Sequence, residues 1–371
     1  MLITYIKDLF NKFINSKIIT KIIISLIVLI ELFLTFICFY KVDYELMTPG
    51  SLGSPYNTVQ VDTKNDPGFI HTVSVMTFDD MSLLQYWLMK NEVKVEISNP
   101  EDDYLDNTAE RQYGIVSKRI SINNAIMYAY KKAKEKDDSI NLVSSFKGLI
   151  VSINMNKEST IKPDDIITEV EGIKITSLQD IQNIYDELLG EDRLGNIKKE
   201  GDYIKFKVVH HDSDEVFERE AKLYKNDNGK LSTGLTVQEY YSLDGANSTP
   251  KFAVNYNEYF HASGNSGGAM LALSIYNQLL EEDVTKGNLI CGTGTINLDG
   301  SIGLIGGIEQ KVVKAYLANV KVFFVDSGDY EACIKACEKY GYDSSFVKSV
   351  STFEDILSEL EKLEGGSQDV K

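Results

Sequence analysis

Cysteine is scarce in this chain, and the few present are badly placed for a disulfide framework. Of the 4 cysteines, Cys38 falls in an apolar stretch and Cys291 in a run that reads as a buried strand. Cys333 and Cys337 lie four apart on one helical pattern, a spacing that rarely meets disulfide geometry. No paired CxxC knuckle occurs, and adjacent His210 and His211 are expected to point to opposite faces of a strand, so no structural zinc site is expected. A GxxxxGK[ST] phosphate loop is missing as well, which removes the usual ATP-binding element. Beyond the first two dozen residues there is no stripe of lysine and arginine interleaved with aromatics, and the net charge of −17 repels phosphate backbones. These absences exclude nucleic-acid binding as an expectation and leave no cofactor or metal implied; the acidic balance reads as a solvated surface.

The chain has 371 residues, too many for one ordinary core, and its 43% hydrophobic and 25% charged residues match folded protein. Two or three folded units are expected. From Ile22 to Tyr40 the sequence is apolar apart from Glu31, a length that just spans a bilayer as a helix. Lys7, Lys12, Lys17 and Lys21 precede it, while Asp43 and Glu45 follow beside Lys41, so the positive-inside rule puts residues 1–21 in the cytoplasm, 22–40 in the membrane and the remainder outside. No small-x-small cleavage site follows the run, which favours an uncleaved anchor over a signal peptide.

Residues 41–140 read as a mixed α/β region. A turn-rich stretch, Thr48-Pro49-Gly50-Ser51, precedes short alternating strands at Thr58 to Val61 and Phe69 to Met76. Ser121 to Glu135 places Ala125, Ala129 and Ala133 on one helical stripe with Ser121 as the expected N-cap.

A second unit covers 141–226. An apolar strand, Gly148 to Ile153, is followed by KPDDIITEVEGIKI, in which a turn at Glu171-Gly172 joins two strand segments. A helix follows, capped by Ser177 and carrying Leu178, Ile181, Ile184, Tyr185 and Leu188 at helical spacing as far as Gly190; strands at Tyr203 to Val209 and Val216 to Leu223 close the sheet. This order resembles a PDZ domain. The resemblance places the carboxylate-binding loop at Phe146-Lys147-Gly148-Leu149 and implies that Gly148, Leu149 and Ile150 hold an extended peptide as an added strand. The family's KPGD turn is KPDD here, with Asp164 in place of glycine.

Residues 230–364, followed by a short tail at 365–371, alternate strands with helices and carry the chemistry. Ser266 lies in Gly264-Asn265-Ser266-Gly267-Gly268, a glycine-rich entry to a helix on which Ala269, Leu273, Tyr276 and Leu280 form an apolar stripe. Small neighbours admit a substrate backbone there, and free amides at a helix start can hold an oxyanion. Most such entries are simply N-caps. Further on, LICGTGTINL reads as a strand, Asp299-Gly300 as a turn, and a glycine-rich passage from Ile302 to Ile308 leads into a helix carrying Lys311. A lysine is ordinarily a solvated helix-face residue, but one desolvated beside an apolar strand end has its pKa lowered from about 10.4 toward neutrality and can take a serine proton.

These segments, GNSGGAMLALSIYNQL and TKGNLICGTGTINLDGSIGLIGGIEQKVVKAYLANVKVFFV, resemble the proteolytic domain of the Lon family, in particular its membrane-anchored, ATP-independent members that carry a PDZ domain. The family's GPSAG-like motif matches Gly264 to Gly268, with Asn265 and Gly267 where it has proline and alanine, and so implies Ser266 as nucleophile. The lysine after GGI is Lys311, the implied general base, and Thr293 is similar in position to a threonine that supports the amine. The implied whole is an α+β protein with a transmembrane anchor, a mixed region, a PDZ-like domain and a Lon-type proteolytic domain. Its partners would be secreted or membrane-tethered polypeptides, with a homo-oligomeric ring implied by the family. Two other readings compete. GNSGG also resembles the nucleophile motif of trypsin-like proteases, which need an upstream histidine, and His71 is the distant candidate because His261 is too close to Ser266. A non-enzymatic scaffold that captures peptide tails at the membrane is the other.

Overall fold

The computed structural model describes residues 2–63, 69–92, 94–98, 107–189, 198–255 and 264–366, so His261 and Gly190 lie outside the described residues. The fold is mixed α and β, and it divides into two compact units: Met1–Pro49 with Met76–Asp103, and Gly50–Val75 with Tyr104–Lys371.

In the smaller unit a helix at Leu2–Ile14 precedes a second at Ile18–Phe39, which begins one turn before the expected span and is long and apolar enough to cross a membrane. Ile37 is the one residue of this second helix that the protein buries. The start of the strand Glu45–Gly53 pairs antiparallel with Glu96–Ser98, and the short helix Leu83–Met89 is opened by a Ser82/Gln85 capping box.

In the larger unit a parallel array runs in the order Val347–Val350, Val322–Asp326, Ile290–Gly292 and the part of Ile70–Phe78 up to Val75. Side chains alternate across it, as the strand period requires. Ile70, Ile290, Val322 and Phe324 face a core shared with the helix Gly268–Leu279 and the helix Asn107–Lys134. Val73, Cys291, Phe323 and Val325 face the opposite way, onto the helices Ile308–Leu317 and Tyr330–Tyr340, where Cys333 and Cys337 are buried. Every residue of Gly268–Leu279 is buried, which explains a helix with no charged residue.

The long helix corrects the sequence reading. It begins at Asn107 rather than at Ser121, so Ser121 is a mid-helix residue and caps nothing. Ser121, Asn123 and Asn124 are polar yet buried, because such side chains hold backbone groups elsewhere: Asn123 Nδ2 donates to Tyr241 O at 2.8 Å and Asn124 Nδ2 to Ile296 O at 3.1 Å. Elements of the expected mixed region therefore share a core with the Ser266 helix, since burial and not sequence proximity decides where a domain ends.

The second sheet of this unit is antiparallel, ordered Leu235–Leu243, Ser144–Asn154, Ile166–Val170, Tyr203–Val209 and Phe217–Lys222. The helix Leu178–Leu189 covers one face through Ile181 and Ile184. Val116 and Ile120 of the long helix cover the other, against Ile150, Ile166 and Val209. The expected boundary between 226 and 230 does not isolate this sheet, because Leu235–Leu243 supplies one of its strands.

Candidate active site

The site forms where the central strand Ile290–Gly292 ends. Its next residue, Thr293, still bonds the neighbouring strand through its amide, to Phe324 O at 2.9 Å, and is 1% exposed. Gly294 then takes φ 146°, and a side chain there would press on Ile302 Cγ2 at 2.6 Å, so only glycine lets the chain double back as the hairpin of Thr295–Ile296 with Ile302–Gly303. The expected single strand from Leu289 to Leu298 is thus two short ones broken at the site.

The Ser266 loop docks onto this strand end. Gly294 N donates to Ser266 O at 2.7 Å, and the Thr293 hydroxyl donates to the same oxygen at 3.1 Å. On its other side the loop is held by the long helix: Gly264 N donates to Gly114 O at 2.9 Å, and Ser121 Oγ donates to Asn265 O at 3.2 Å. Gly268 is required by this fit, since a Cβ would lie 2.5 Å from Ser121 Oγ. With the peptide pinned from both sides, the amides of Ser266 and Gly267 donate to no group among the described residues. They sit just before the first turn of Gly268–Leu279, where helix geometry leaves amides free.

Lys311 enters from the opposite face of the sheet, on the first turn of Ile308–Leu317, after Gly307 has turned the chain with φ 66°. It is 3% exposed, makes no ion pair among the described residues, and its Nζ donates to Thr293 Oγ1 at 3.4 Å. Burial lowers its pKa to about 8, against the opposing pull of the Asp329 carboxylate. Asp329 also accepts the amide of Ile305 at 3.0 Å, tying down the passage that delivers the lysine. The Lys311 amine and the Ser266 peptide therefore meet at one hydroxyl; the amine is not hydrogen-bonded to the Ser266 hydroxyl itself.

A pocket of about 170 Å³ opens between Gly264 and Gly267 and is walled by Thr72, Ile122 and Leu271. Larger clefts of about 630 Å³ lie near Tyr316 and Phe346 and over Phe206; none of the three is lined by Ser266, Thr293 or Lys311, and only the smallest meets the serine loop, through Gly264 and Gly267. Thr72 borders Gly267, so strand alternation turns the preceding His71 to the other face of the sheet, away from the serine loop. Burial also holds the His71 pKa below the ordinary histidine value. Among the described residues no three of His, Cys, Asp and Glu gather as a metal site.

The peptide-binding residues fare differently. Gly148, Leu149 and Ile150 are buried inside the second sheet. One edge of their strand pairs with Tyr240, Glu239 and Gln238, and the other pairs Leu149 with Ile167 and Ile150 with Ile166. A strand has two hydrogen-bonding edges and both are taken, so an incoming peptide cannot add at Gly148 to Ile150 while Leu235–Leu243 is seated. His210 and His211 follow the strand Tyr203–Val209 instead of lying within it, and they approach Asp165 and Asp164 at 3.5 Å and 3.1 Å. Sequence reasoning also missed Gly114, Ser121 and Asp329; the polar run Ser121 to Asn124 inside an alanine-striped helix was the available signal.

No protein-family model matches the chain. It is similar to a Lon protease of Campylobacter jejuni subsp. jejuni serotype O:2, with 26% identity over 196 residues, which covers 52% of this chain and 21% of that protease. The chain thus spans about a fifth of the length of this relative. Among solved structures, the PDZ domain of the SdrC-like protein of Listeria monocytogenes is aligned over 25% of this chain and 90% of that one, with 22% identity and a TM-score of 0.20. What the comparisons give is a distant likeness to a Lon protease over half the chain and a PDZ domain as a structural neighbour.

Proposed function

We propose that this chain is a membrane-anchored, ATP-independent serine endopeptidase in which Ser266 is the nucleophile and Lys311 the general base. The observation that carries the reading is a buried lysine amine that makes no ion pair among the described residues and shares the Thr293 hydroxyl with the Ser266 peptide. A buried ammonium without a partner is costly to keep, and a free amine near its own pKa is what serine activation requires.

In this mechanism the neutral Lys311 amine moves from Thr293 to the Ser266 hydroxyl and takes its proton as Oγ bonds to the peptide carbonyl carbon. The oxyanion is held by the free amides of Ser266 and Gly267. The tetrahedral adduct collapses by breaking the C–N bond, and the Lys311 ammonium passes its proton to the leaving amine. Water then attacks the acyl-serine with Lys311 again as base, which returns the hydroxyl and frees the new carboxylate. Thr293 keeps the amine and the serine loop in register throughout. Catalytic hydrogen bonds often tighten only with substrate present, which accommodates the 3.4 Å contact to Thr293.

The helix Ile18–Phe39 anchors the protein, with Lys7, Lys12, Lys17 and Lys21 on the cytoplasmic side and the catalytic residues outside. Substrates are secreted or membrane-tethered polypeptides reached in extended form. With both edges of the Gly148 strand occupied, the PDZ-like sheet supports the serine loop through the long helix and does not act as an open peptide groove.

The deciding experiment incubates wild type, Ser266→Ala and Lys311→Ala with an unfolded casein-like protein, without ATP and with a metal chelator present. Wild type should cleave and both variants should fail. Cleavage that survives in Ser266→Ala would falsify the reading.

A further inference from the structure

The anchor helix carries a companion that nothing in the proposed mechanism uses. Leu83–Met89, with the sequence LLQYWLM, contains no charged residue and buries none of its side chains. Leu83, Leu84, Tyr86 and Met89 are half-buried, and the apolar side chains left exposed must meet something apolar, because water is a poor solvent for them. Trp87 is 44% exposed and Leu88 68%.

The position of this helix says what covers it. The chain returns to the anchor after Phe78: Val42 N donates to Met81 O at 2.9 Å, Leu83 N to Tyr40 O at 2.9 Å, and Lys41 Nζ to Asp80 O at 2.6 Å. Met81 is buried, as is Ile37, the one buried residue of the anchor. From there the short helix runs back along the anchor, so that the Trp87 ring lies 6.4 Å from that of Phe33. Phe33 sits seven residues before Tyr40, about 10 Å below the top of the anchor at 1.5 Å per residue. A residue beside Phe33 is at the depth of Phe33. Tyr86 stacks on Tyr44 at 4.9 Å, so an aromatic group sits at the level of the top of the anchor.

We infer that Leu83–Met89 is a second membrane contact, a short helix lying in the outer leaflet against the anchor with Trp87 and Leu88 among the upper acyl chains. This rests on the anchor reading and adds to it: the smaller unit is held in the bilayer by a helix and a wedge. Lipid is the occupant because the patch is continuous with the lipid-facing surface of the anchor at the same depth.

The chain provides its own probe, since Trp87 is the only tryptophan. Full-length protein is reconstituted into phosphatidylcholine vesicles, its emission is read against aqueous iodide and against lipids brominated near the top or near the end of the acyl chain, and carbonate extraction is run in parallel. The expected result is a blue-shifted emission, protected from iodide and quenched most by the shallow bromines, in protein that resists carbonate. Leu88→Glu should lift the helix, shift the emission to the red and reduce bromolipid quenching several-fold while the protein stays anchored. Quenching by iodide but not by bromolipid, in protein that resists carbonate, overturns the inference alone. Protection from both quenchers overturns it in favour of a second protein copy on the patch. Release by carbonate removes the anchor reading and this inference together.

Discussion

Two places in the larger unit bury ionisable groups, and they do so in opposite ways. Around the second sheet, Asp164 contacts Arg119 at 3.1 Å and His211 at 3.1 Å, while Asp165, only 1% exposed, lies 3.5 Å from His210 and 3.6 Å from Arg219. Every charge there has a counter-charge, and Arg119 belongs to the long helix that packs on this sheet. At the Ser266 site, Lys311 is equally hidden and makes no ion pair among the described residues, burial outweighing the pull of the Asp329 carboxylate. Buried pairs are what docking surfaces contain; an unpaired buried amine weakens the fold and is maintained only if its loss of charge is useful. Under the proposed mechanism the difference separates a structural joint from a chemical one.

The comparison breaks most visibly in activity. Lys311→Met and Ser266→Ala should each lower kcat/KM by roughly 10³-fold or more, since a nucleophile and its base act as a unit; an equal loss from Arg119→Met would erase the distinction. The pH dependence follows from the lysine pKa of about 8. Below that value the base is protonated, so activity should rise roughly tenfold per pH unit and level off above it. A profile that is flat between pH 6 and 9 would remove Lys311 as the base. Stability should also rise with pH, but over a higher window than activity. The folded pKa of about 8 lies below the ordinary 10.5, so the folded state sheds its proton first and wild type gains stability as pH climbs between those two values. Below pH 8 the buried charge carries its full cost. Lys311→Met should therefore raise stability at pH 7 by about 3 kcal/mol, a gain that shrinks toward zero above pH 10.5. Urea unfolding of the detergent-solubilised full chain at both pH values checks this, and a destabilised Met variant at pH 7 would sink it.

How far these sites could be read in the sequence differs for the same physical reason. Glycine spacing and a lysine after GGI mark a chemistry that depends on local backbone shape, so Gly264 to Gly268 and Lys311 were visible as candidates. The elements under them also followed from pattern: an apolar span at the N-terminus, and a hydrophobic period for Leu178–Leu189. Partnership between distant segments was not visible. Nothing in the string SINNA says that Ser121 reaches Asn265, 144 positions away. Nor does the PDZ-like pattern at Gly148 reveal that Leu235–Leu243 will take its free edge, because strand pairing of that separation is decided by tertiary packing. The same limit explains the misplaced start of the long helix, whose N-terminal half carries no strong apolar stripe.

The paired joint supplies the smaller effects. Arg119→Met leaves the half-buried Asp164 carboxylate with His211 as its remaining ion contact among the described residues, and should cost about 1–3 kcal/mol with catalysis by the surviving folded fraction unchanged. Asp164 itself gives the finest test, because it stands where a PDZ-like turn has glycine and adopts φ 79°. A non-glycine residue in that left-handed region costs on the order of 1 kcal/mol, least for aspartate and asparagine. If the carboxylate repays that cost through Arg119 and His211, Asp164→Gly relieves the backbone while losing the contacts, and stability should change by less than about 1 kcal/mol. Asp164→Asn keeps the turn geometry and removes only the charge, so it should be the more damaging of the two, by about 1–2 kcal/mol in the urea midpoint. The order of the two variants is what matters: glycine worse than asparagine would mean that side-chain contacts a neutral amide still makes, and not the charge, account for Asp164, and the joint would then owe little to ion pairing beside Val116 and Ile120 packing on the sheet.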